Sequence, residues 1–394
     1  MRLCFISPEP IYPLTGGGTP GSLEIVKKMV KNGYEVHILT PLYIKNKKFV
    51  ERMLKAKIHP FNFFAPHRSQ NPQIRRIKTL IWAFIVSFKL SRLVKKYNLE
   101  LVFARNFAAG ISALLNRIIN KTPYVVSVTD ITTGYFYFDY KLPKWIVNFL
   151  VKLETKLIGK ADLIFTITEE MKKVFVQEGV HNEKIIPVYE GVNLKFFRPH
   201  IRTDLKKKLG LEGNKIIFFH GMLQPRSNLT TLIESMKHLP DNIKLLLVGS
   251  GPILNDLKKI CQKENIKNVI FIGFVPYEKI PEYISIADIC ILPYLPDFAT
   301  NILITIKIVE YAAMAKPIIS SPLKGLKEVF RENRDLLFYN PTDEKDLVEK
   351  ILLLLNDHKL AKKLGNNARK VVEKKLNWDC VTSTIITGLK NIKN

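Results

Sequence analysis

Short apolar runs alternate along the chain with stretches whose apolar residues recur every three or four positions. The runs Arg2–Ser7, Glu35–Thr40, Leu99–Ala104, Pro123–Val128, Asp162–Thr166 and Lys184–Val188 read as one series of strands. Lys215–His220, Ile243–Gly249, Asn268–Gly273, Asp288–Pro293, Pro317–Ser321 and Leu336–Asn340 read as a second. Each run is β-branched, bounded by Gly, Pro or charge, and apolar throughout, as strands covered on both faces of a parallel sheet are. Ile74–Tyr97, Leu229–His238 and Ile253–Glu264 carry helical spacing between them. Repeated β-α-β units predict an α/β protein of two doubly wound, Rossmann-like domains. The expected boundaries are 1–200, 201–376 and a last helical segment, 377–394.

In doubly wound sheets ligands bind beyond the carboxyl ends of the strands. Two domains facing each other by those ends form a cleft, and the unusual loops fall where it is expected. Pro13-Leu14-Thr15-Gly16-Gly17-Gly18-Thr19-Pro20-Gly21 follows the first strand and leads into a helix. Glycines there let a backbone and a helix dipole meet an anion. The alternative is a surface loop. His220-Gly221-Met222-Leu223-Gln224-Pro225-Arg226 opens the second half, with Arg226 a candidate for a phosphate leaving group or a solvated loop arginine. Lys307-Ile308-Val309-Glu310-Tyr311-Ala312-Ala313-Met314-Ala315-Lys316-Pro317 puts one carboxylate in an apolar helix. Either Glu310 is buried against a partner and able to take a vicinal diol, or it lies on a wet face paired with Lys307 one turn earlier.

Charge sharpens the picture. Among 394 residues, 61 Lys and Arg face 35 Asp and Glu, a net +26 that draws the chain to phosphates on ligand, membrane or nucleic acid. The bias peaks from Lys45 to Lys96, where Glu51 is the one acid. Cys4, Cys261, Cys290 and Cys380 form no C-x-x-C pair and read as thiols of a reducing compartment, without a metal framework. The chain begins directly with a strand, so no secretory leader is expected. The run Ile81–Phe88 is too short to span a bilayer.

Six motifs in order resemble the GT-B glycosyltransferases of retaining family 4: Gly16-Gly17-Gly18, Ala161-Asp162-Leu163-Ile164-Phe165-Thr166-Ile167-Thr168-Glu169, Glu190-Gly191-Val192-Asn193 running to Pro199, Leu247-Val248-Gly249-Ser250-Gly251-Pro252, Ile286-Ala287-Asp288, and Glu310 to Pro317. The resemblance implies transfer of a sugar from a nucleotide sugar to a hydroxyl, with retention, with no metal and no cofactor beyond the donor itself. It implies that Glu310 holds the donor ribose, and that Leu303, Ile304 and Thr305 offer backbone amides to the diphosphate. Gly17 or Gly18 and Gly221 approach the diphosphate, Val275 touches the base, and Lys307 and Arg226 supply charge. Thr129, beside Asp130, stands where many members carry a catalytic histidine. The family's first acid falls at Ile302, its arginine at Met222 and its lysine at Ser227. These departures open a second reading, a catalytically degenerate relative acting as a binding or partner subunit.

The helix Ile74–Tyr97 carries Arg75, Arg76, Lys78, Trp82, Lys89 and Arg92, which suit an anionic membrane surface or a lipid-linked or glycan acceptor. An ordinary helix with its apolar face in the core is the alternative. Nucleic acid is not expected as a partner, because no RNP, helix-turn-helix or zinc signature accompanies the charge. The expected location is the cytoplasm, with peripheral contact at the inner face of the membrane.

Overall fold

A computed structural model describes residues 1–14, 17–41, 46–63 and 72–392. The chain divides into two units, one of Met1–Tyr189 with Trp378–Asn394 and one of Glu190–Asn377.

The first unit contains β1 (Arg2–Ile6), α1 (Gly18–Lys31), β2 (Glu35–Thr40), α2 (Lys47–Leu54), β3 (Lys57–Pro60), α3 (Pro72–Tyr97), β4 (Leu101–Arg105), α4 (Asn106–Asn120), β5 (Tyr124–Val128), α5 (Phe136–Tyr140), α6 (Lys144–Ile158), β6 (Leu163–Thr166), α7 (Glu169–Gln177) and β7 (Ile185–Pro187). Its seven parallel strands run in the order β3-β2-β1-β4-β5-β6-β7. The second unit contains α8 (Leu205–Lys208), β8 (Lys215–His220), α9 (Leu229–Ser235), β9 (Ile243–Val248), α10 (Leu254–Lys263), β10 (Val269–Gly273), α11 (Ile280–Ser285), β11 (Ile289–Leu292), α12 (Phe298–Asn301), α13 (Ile306–Ala313), β12 (Ile318–Ser320), α14 (Lys324–Lys327), β13 (Leu337–Phe338), α15 (Glu344–Asn356) and α16 (His358–Lys375). Its six strands run β10-β9-β8-β11-β12-β13, again all parallel. The last helix, α17 (Trp378–Asn391), belongs to the first unit, where Ile385, Ile386 and Leu389 join Phe103 and Phe165 in the core.

The junction lies at Tyr189/Glu190, before the expected 200/201. Val192 donates its N–H to the Leu376 carbonyl at 2.8 Å, and Phe197 is fully buried against Tyr277. These contacts fasten 190–200 to the second unit.

Two Ala-Asp pairs set strand register. Asp162 accepts the N–H of Tyr124 at the head of β5 (2.9 Å) and holds Arg117 at 2.6 Å. Asp288 accepts the N–H of Ile216 in β8 (2.8 Å). Each carboxylate satisfies a donor that would otherwise begin a buried strand unpaired. Strand β3 has no counterpart among the sequence expectations. Its four residues, Lys-Ile-His-Pro, lie at the sheet edge and include one fully buried apolar side chain.

Candidate active site

The carboxyl ends of β8, β9 and β10 and the start of α13 gather the unusual residues of the second unit. Strand β8 ends in His220 and Gly221, the latter at φ +122°. A Cβ on Gly221 would stand 2.3 Å from Lys307 Cε, and one on Gly249 would stand 1.9 Å from the Gly221 carbonyl oxygen. The two loops therefore touch backbone to backbone, which only glycine permits at both places. Glu310 lies one helical turn after Lys307 and is fully buried. Its Oε1 accepts from Tyr277 Oη at 2.8 Å, and His220 Nε2 stands 3.1 Å from its Oε2. The wet-face alternative, with Lys307 as partner, is thereby overturned. Burial first, and then the Glu310 carboxylate, hold the Tyr277 phenol well above its ordinary pKa, so Tyr277 donates.

Lys307 turns the other way. Its Nζ donates to Tyr294 Oη at 3.0 Å and lies 6.0 Å over the Phe219 ring. Tyr294 is 2% exposed. Burial pushes its pKa up, but the charges of Lys307 and Arg226 and the hydrogen bonds of Lys307 and Ser227 bring it below the ordinary value. Lys307 thus donates to a buried hydroxyl that the charge of Arg226 also acts on. Arg226 keeps its place in the loop through Gln224, whose amide oxygen, turned toward it, lies 2.8 Å from Nε. Thr305 caps α13 with extended backbone, and its Oγ1 is buried without a hydrogen-bond partner. Ile302, Leu303 and Ile304 are buried just before it. The first turn of α13 leaves N–H groups that no intrahelical carbonyl can take, with Lys307 in that turn: an arrangement able to hold phosphate. Val275 is half-buried, whereas its neighbour Phe274 is 72% exposed beyond β10.

In the first unit Gly17 has φ +60° and caps α1. A Cβ on Gly18 would lie 3.0 Å from Glu9 Oε2 and 3.8 Å from Arg105 Nη2, while Gly16 is outside the described residues. Arg105, at the end of β4, is 5% exposed. Its Nη1 donates to Ser127 Oγ at 2.8 Å, and its Nη2 has no hydrogen-bond partner. Thr129 is tied to Asn106, whose Oδ1 accepts from both its N–H and its Oγ1 at 2.8 Å. Asp130 accepts from Thr132 Oγ1 at 3.3 Å. Glu154, fully buried in α6, accepts from the N–H groups of Thr132 (2.9 Å) and Thr133 (2.8 Å) and so fixes this loop. Burial raises its pKa to about 7, against those bonds.

Comparison with known proteins decides the family. Residues 201–371 match the model of the glycosyl transferases group 1, and residues 15–196 match that of glycosyltransferase family 4. The chain belongs to the GT-B glycosyltransferases. It is similar over its whole length to an uncharacterized glycosyltransferase of Methanocaldococcus jannaschii, at 21% identity covering 99% of this chain and 98% of that one. An Escherichia coli UDP-Gal:alpha-D-GlcNAc-diphosphoundecaprenol alpha-1,3-galactosyltransferase is 27% identical, with 91% and 89% covered. Among solved structures, Anabaena HepE in complex with UDP and glucose superposes with a TM-score of 0.79 at 16% identity, covering 99% of this chain and all of that one.

Within this glycosyltransferase several anticipated residues fall elsewhere than expected. Trp82 is fully buried, with Ala83, Val86 and Leu90 on the inner face of α3, and so is no membrane contact. Spacing alone does not tell which of two apolar stripes turns inward. Lys89 also turns inward: it donates to the Pro60 carbonyl at 2.7 Å, and burial lowers its pKa. Arg92 is exposed and Lys78 half-exposed. The side chains of Arg75 and Arg76, and residues Lys45 and Arg68, lie outside the described residues. His220, Tyr277, Tyr294, Arg105 and Glu154 carry no signature in the sequence spacing. Their roles come from contacts between residues 13 to 90 positions apart. Among the described residues no group of three or more His, Cys, Asp or Glu is gathered for a metal ion, and no helix is long and apolar enough to cross a membrane.

Proposed function

We propose that this glycosyltransferase binds a nucleotide-sugar donor on its second unit and transfers the sugar, with retention, to a lipid-linked acceptor. The observation that carries the reading is the Lys307 ammonium, 3.0 Å from the buried Tyr294 hydroxyl beside the first turn of α13, with the charge of Arg226 also acting on that hydroxyl. The chain has Ser227 at the family's lysine position and Met222 at its arginine position. Lys307 supplies the missing charge from the helix instead of the loop. Leaving-group charge that develops on the β-phosphate meets an ammonium, a guanidinium and the amides of Ile304 and Thr305, whereas the Leu303 amide donates to the Thr300 carbonyl at 3.2 Å. Gly221 gives the diphosphate room at the end of β8, and Val275 with Phe274 receives the base.

Glu310 anchors the ribose in this reading. Each carboxylate oxygen has a second lone pair, but the group is fully enclosed. A ribose diol reaches it when Tyr277 yields its bond. The lipid-linked acceptor is taken from the diphosphoundecaprenol substrate named for the similar E. coli enzyme. Arg105 is its candidate phosphate contact on the first unit, and Thr129 and Asp130 border the sugar.

The test is a panel of nucleoside diphosphates and nucleotide sugars scored by the rise in Tm, then by turnover with polyprenyl-diphosphate-linked sugars. A ligand that binds only the native state raises Tm by mass action. Glu310→Ala abolishes the shift, and no shift at millimolar nucleotide refutes the reading. A second reading, a relative that binds without turnover, is favoured by Ile302, buried where the family's first acid stands. Tight nucleotide binding with no donor consumed would select it.

A further inference from the structure

The second unit gathers positive charge again at the edge of its sheet opposite the donor site. The turn of residues 331–335 leads into β13, and so lies at the amino ends of the parallel strands. Helix α16 runs past it. Asn367 Nδ2 of that helix donates to the Arg334 carbonyl at 2.8 Å, and Arg369 Nη1 donates to the Ala313 carbonyl in the last turn of α13. A Cβ on Gly365 would stand 2.2 Å from the Ala315 carbonyl oxygen, so α16 is held tightly in place. Here the structure has a cavity of about 430 Å³. Lys327, Arg331 and Arg334 line it from the segment before β13, and Lys370, Lys374 and Lys375 from α16. All six are exposed. The acids of the lining are Glu328 and Asp335. Asp335 is 1% exposed and serves the turn itself: it accepts the Arg331 N–H at 2.9 Å, and Nε and Nη2 of Arg334 at 2.9 and 2.7 Å.

Lysines in the last turn of a helix answer its dipole, which accounts for Lys374 and Lys375. It does not account for Lys327, Arg331 and Lys370 on the same cavity. Among the described residues, Lys327, Arg331, Lys370 and Lys375 have no carboxylate within ion-pair distance, and Glu373 is taken by Arg369 at 2.7 Å. A concavity lined by one sign of charge concentrates its potential on counter-ions. The rest of the lining selects among them. It has no aromatic ring on which a base could stack, as single-stranded nucleic acid requires. Its apolar residues are Val329, which is buried, and Val371, which is half-buried, so nothing there can enter a bilayer. The volume suits a small molecule, whose sites run to roughly 300–1,000 Å³. We propose that this cavity binds a compact soluble anion with two or more phosphate groups, held by Lys327, Arg331, Lys370 and Lys375. The site is separate from the donor site, and the argument for it uses none of the donor reading.

The experiment uses the full chain with inorganic triphosphate as the probe and acylation of lysines, read by mass spectrometry, as the locator. Triphosphate is expected to protect Lys370 and Lys375, and to leave Lys259, exposed on α10, labelled as before. Arg331→Ser with Lys370→Ser replaces two exposed side chains and leaves the core intact. In that variant the triphosphate concentration that protects Lys375 by half rises at least tenfold, while the Tm without ligand stays as in the parent. Lys370→Arg keeps the charge and keeps the protection. Glu310→Ala, which disables the donor site, leaves the protection of Lys370 and Lys375 unchanged, so failure of this proposal and failure of the donor reading are told apart. Protection spread evenly over surface lysines, or unchanged at Lys375 in the double variant, overturns the proposal. So does tighter binding through these same residues by single-stranded RNA or by phosphatidylglycerol vesicles than by triphosphate.

Discussion

Replacing Lys307 with Met tests the relocated charge directly. Methionine keeps most of the stem that lies over Gly221, and removes the ammonium 3.0 Å from Tyr294 Oη. The cost to folding is small: one hydrogen bond to a neutral hydroxyl, about 1 kcal/mol, with Ser227 still within reach of that hydroxyl. The cost to catalysis is larger. A donor aimed at charge that grows in the transition state contributes roughly 100- to 1,000-fold in kcat, about 2.7–4 kcal/mol. The diphosphate is already charged in the ground state, so KM rises too, but by less than about tenfold. Initial rates with the best donor of the nucleotide panel, and urea unfolding of the same preparations, separate the two effects. A second variant, Ser227→Lys with Lys307→Ala, returns the cation to the loop and is expected to recover at least tenfold over Lys307→Ala alone. An unchanged kcat in Lys307→Met, or a stability loss large enough to account for its inactivity, would refute the reasoning.

Tyr277→Phe frees the Glu310 carboxylate and is expected to tighten nucleoside diphosphate binding several-fold by calorimetry, since a bond of about 1 kcal/mol no longer competes; weaker binding would mean that Tyr277 positions the acid for its ligand. Glu310→Gln keeps the volume but loses the charge, and binding should fall roughly tenfold or more; equal affinity would remove Glu310 from the ribose site. Gly249→Ala forces a Cβ to 1.9 Å from the Gly221 carbonyl at φ +138° and should destabilise the protein by on the order of 3 kcal/mol in urea titration. Burial raises the pKa of the Glu154 carboxyl from its ordinary 4.5 to about 7. The folded state therefore binds a proton more tightly than the unfolded state. This contribution to stability is complete below about pH 4.5 and is lost as pH rises through about 7, and the slope should vanish in Glu154→Gln. An equal slope between pH 5 and 8 in both proteins would show that Glu154 is not its source.

The strands of both units were legible because parallel strands buried on both faces are continuous apolar runs, as Leu101–Arg105 and Ile289–Leu292 are. The four residues of β3 were not, because an edge strand needs little apolar sequence. Glu310 stood out as a lone carboxylate in an apolar helix, but Tyr277 and His220, its companions, lie 33 and 90 positions away and only the sheet order brings them together. The face of α3 was misjudged for a related reason. Apolar residues occupy both sides of that helix, so spacing alone could not tell that Trp82 turns in and Phe84 and Phe88 turn out. The cation site proposed above was half visible: Ser227 showed a cation missing from the loop, but the contact of Lys307 with Tyr294 at 3.0 Å joins residues 13 positions apart and was not legible.

The first unit is finished by the chain's final helix. Ile385, Ile386 and Leu389 fill its core against Phe165, and Gly388 lies so close to that ring that a methyl group there would approach it to 2.8 Å. A ribosome that has delivered residues 1–377 has released everything the second unit needs, while the first still shows an open apolar furrow on one side of its sheet. The order of synthesis is therefore inverted in the order of completion. The portion made earliest must be shielded from aggregation until the last turns emerge, and a premature stop within them would leave the nascent protein dependent on chaperones.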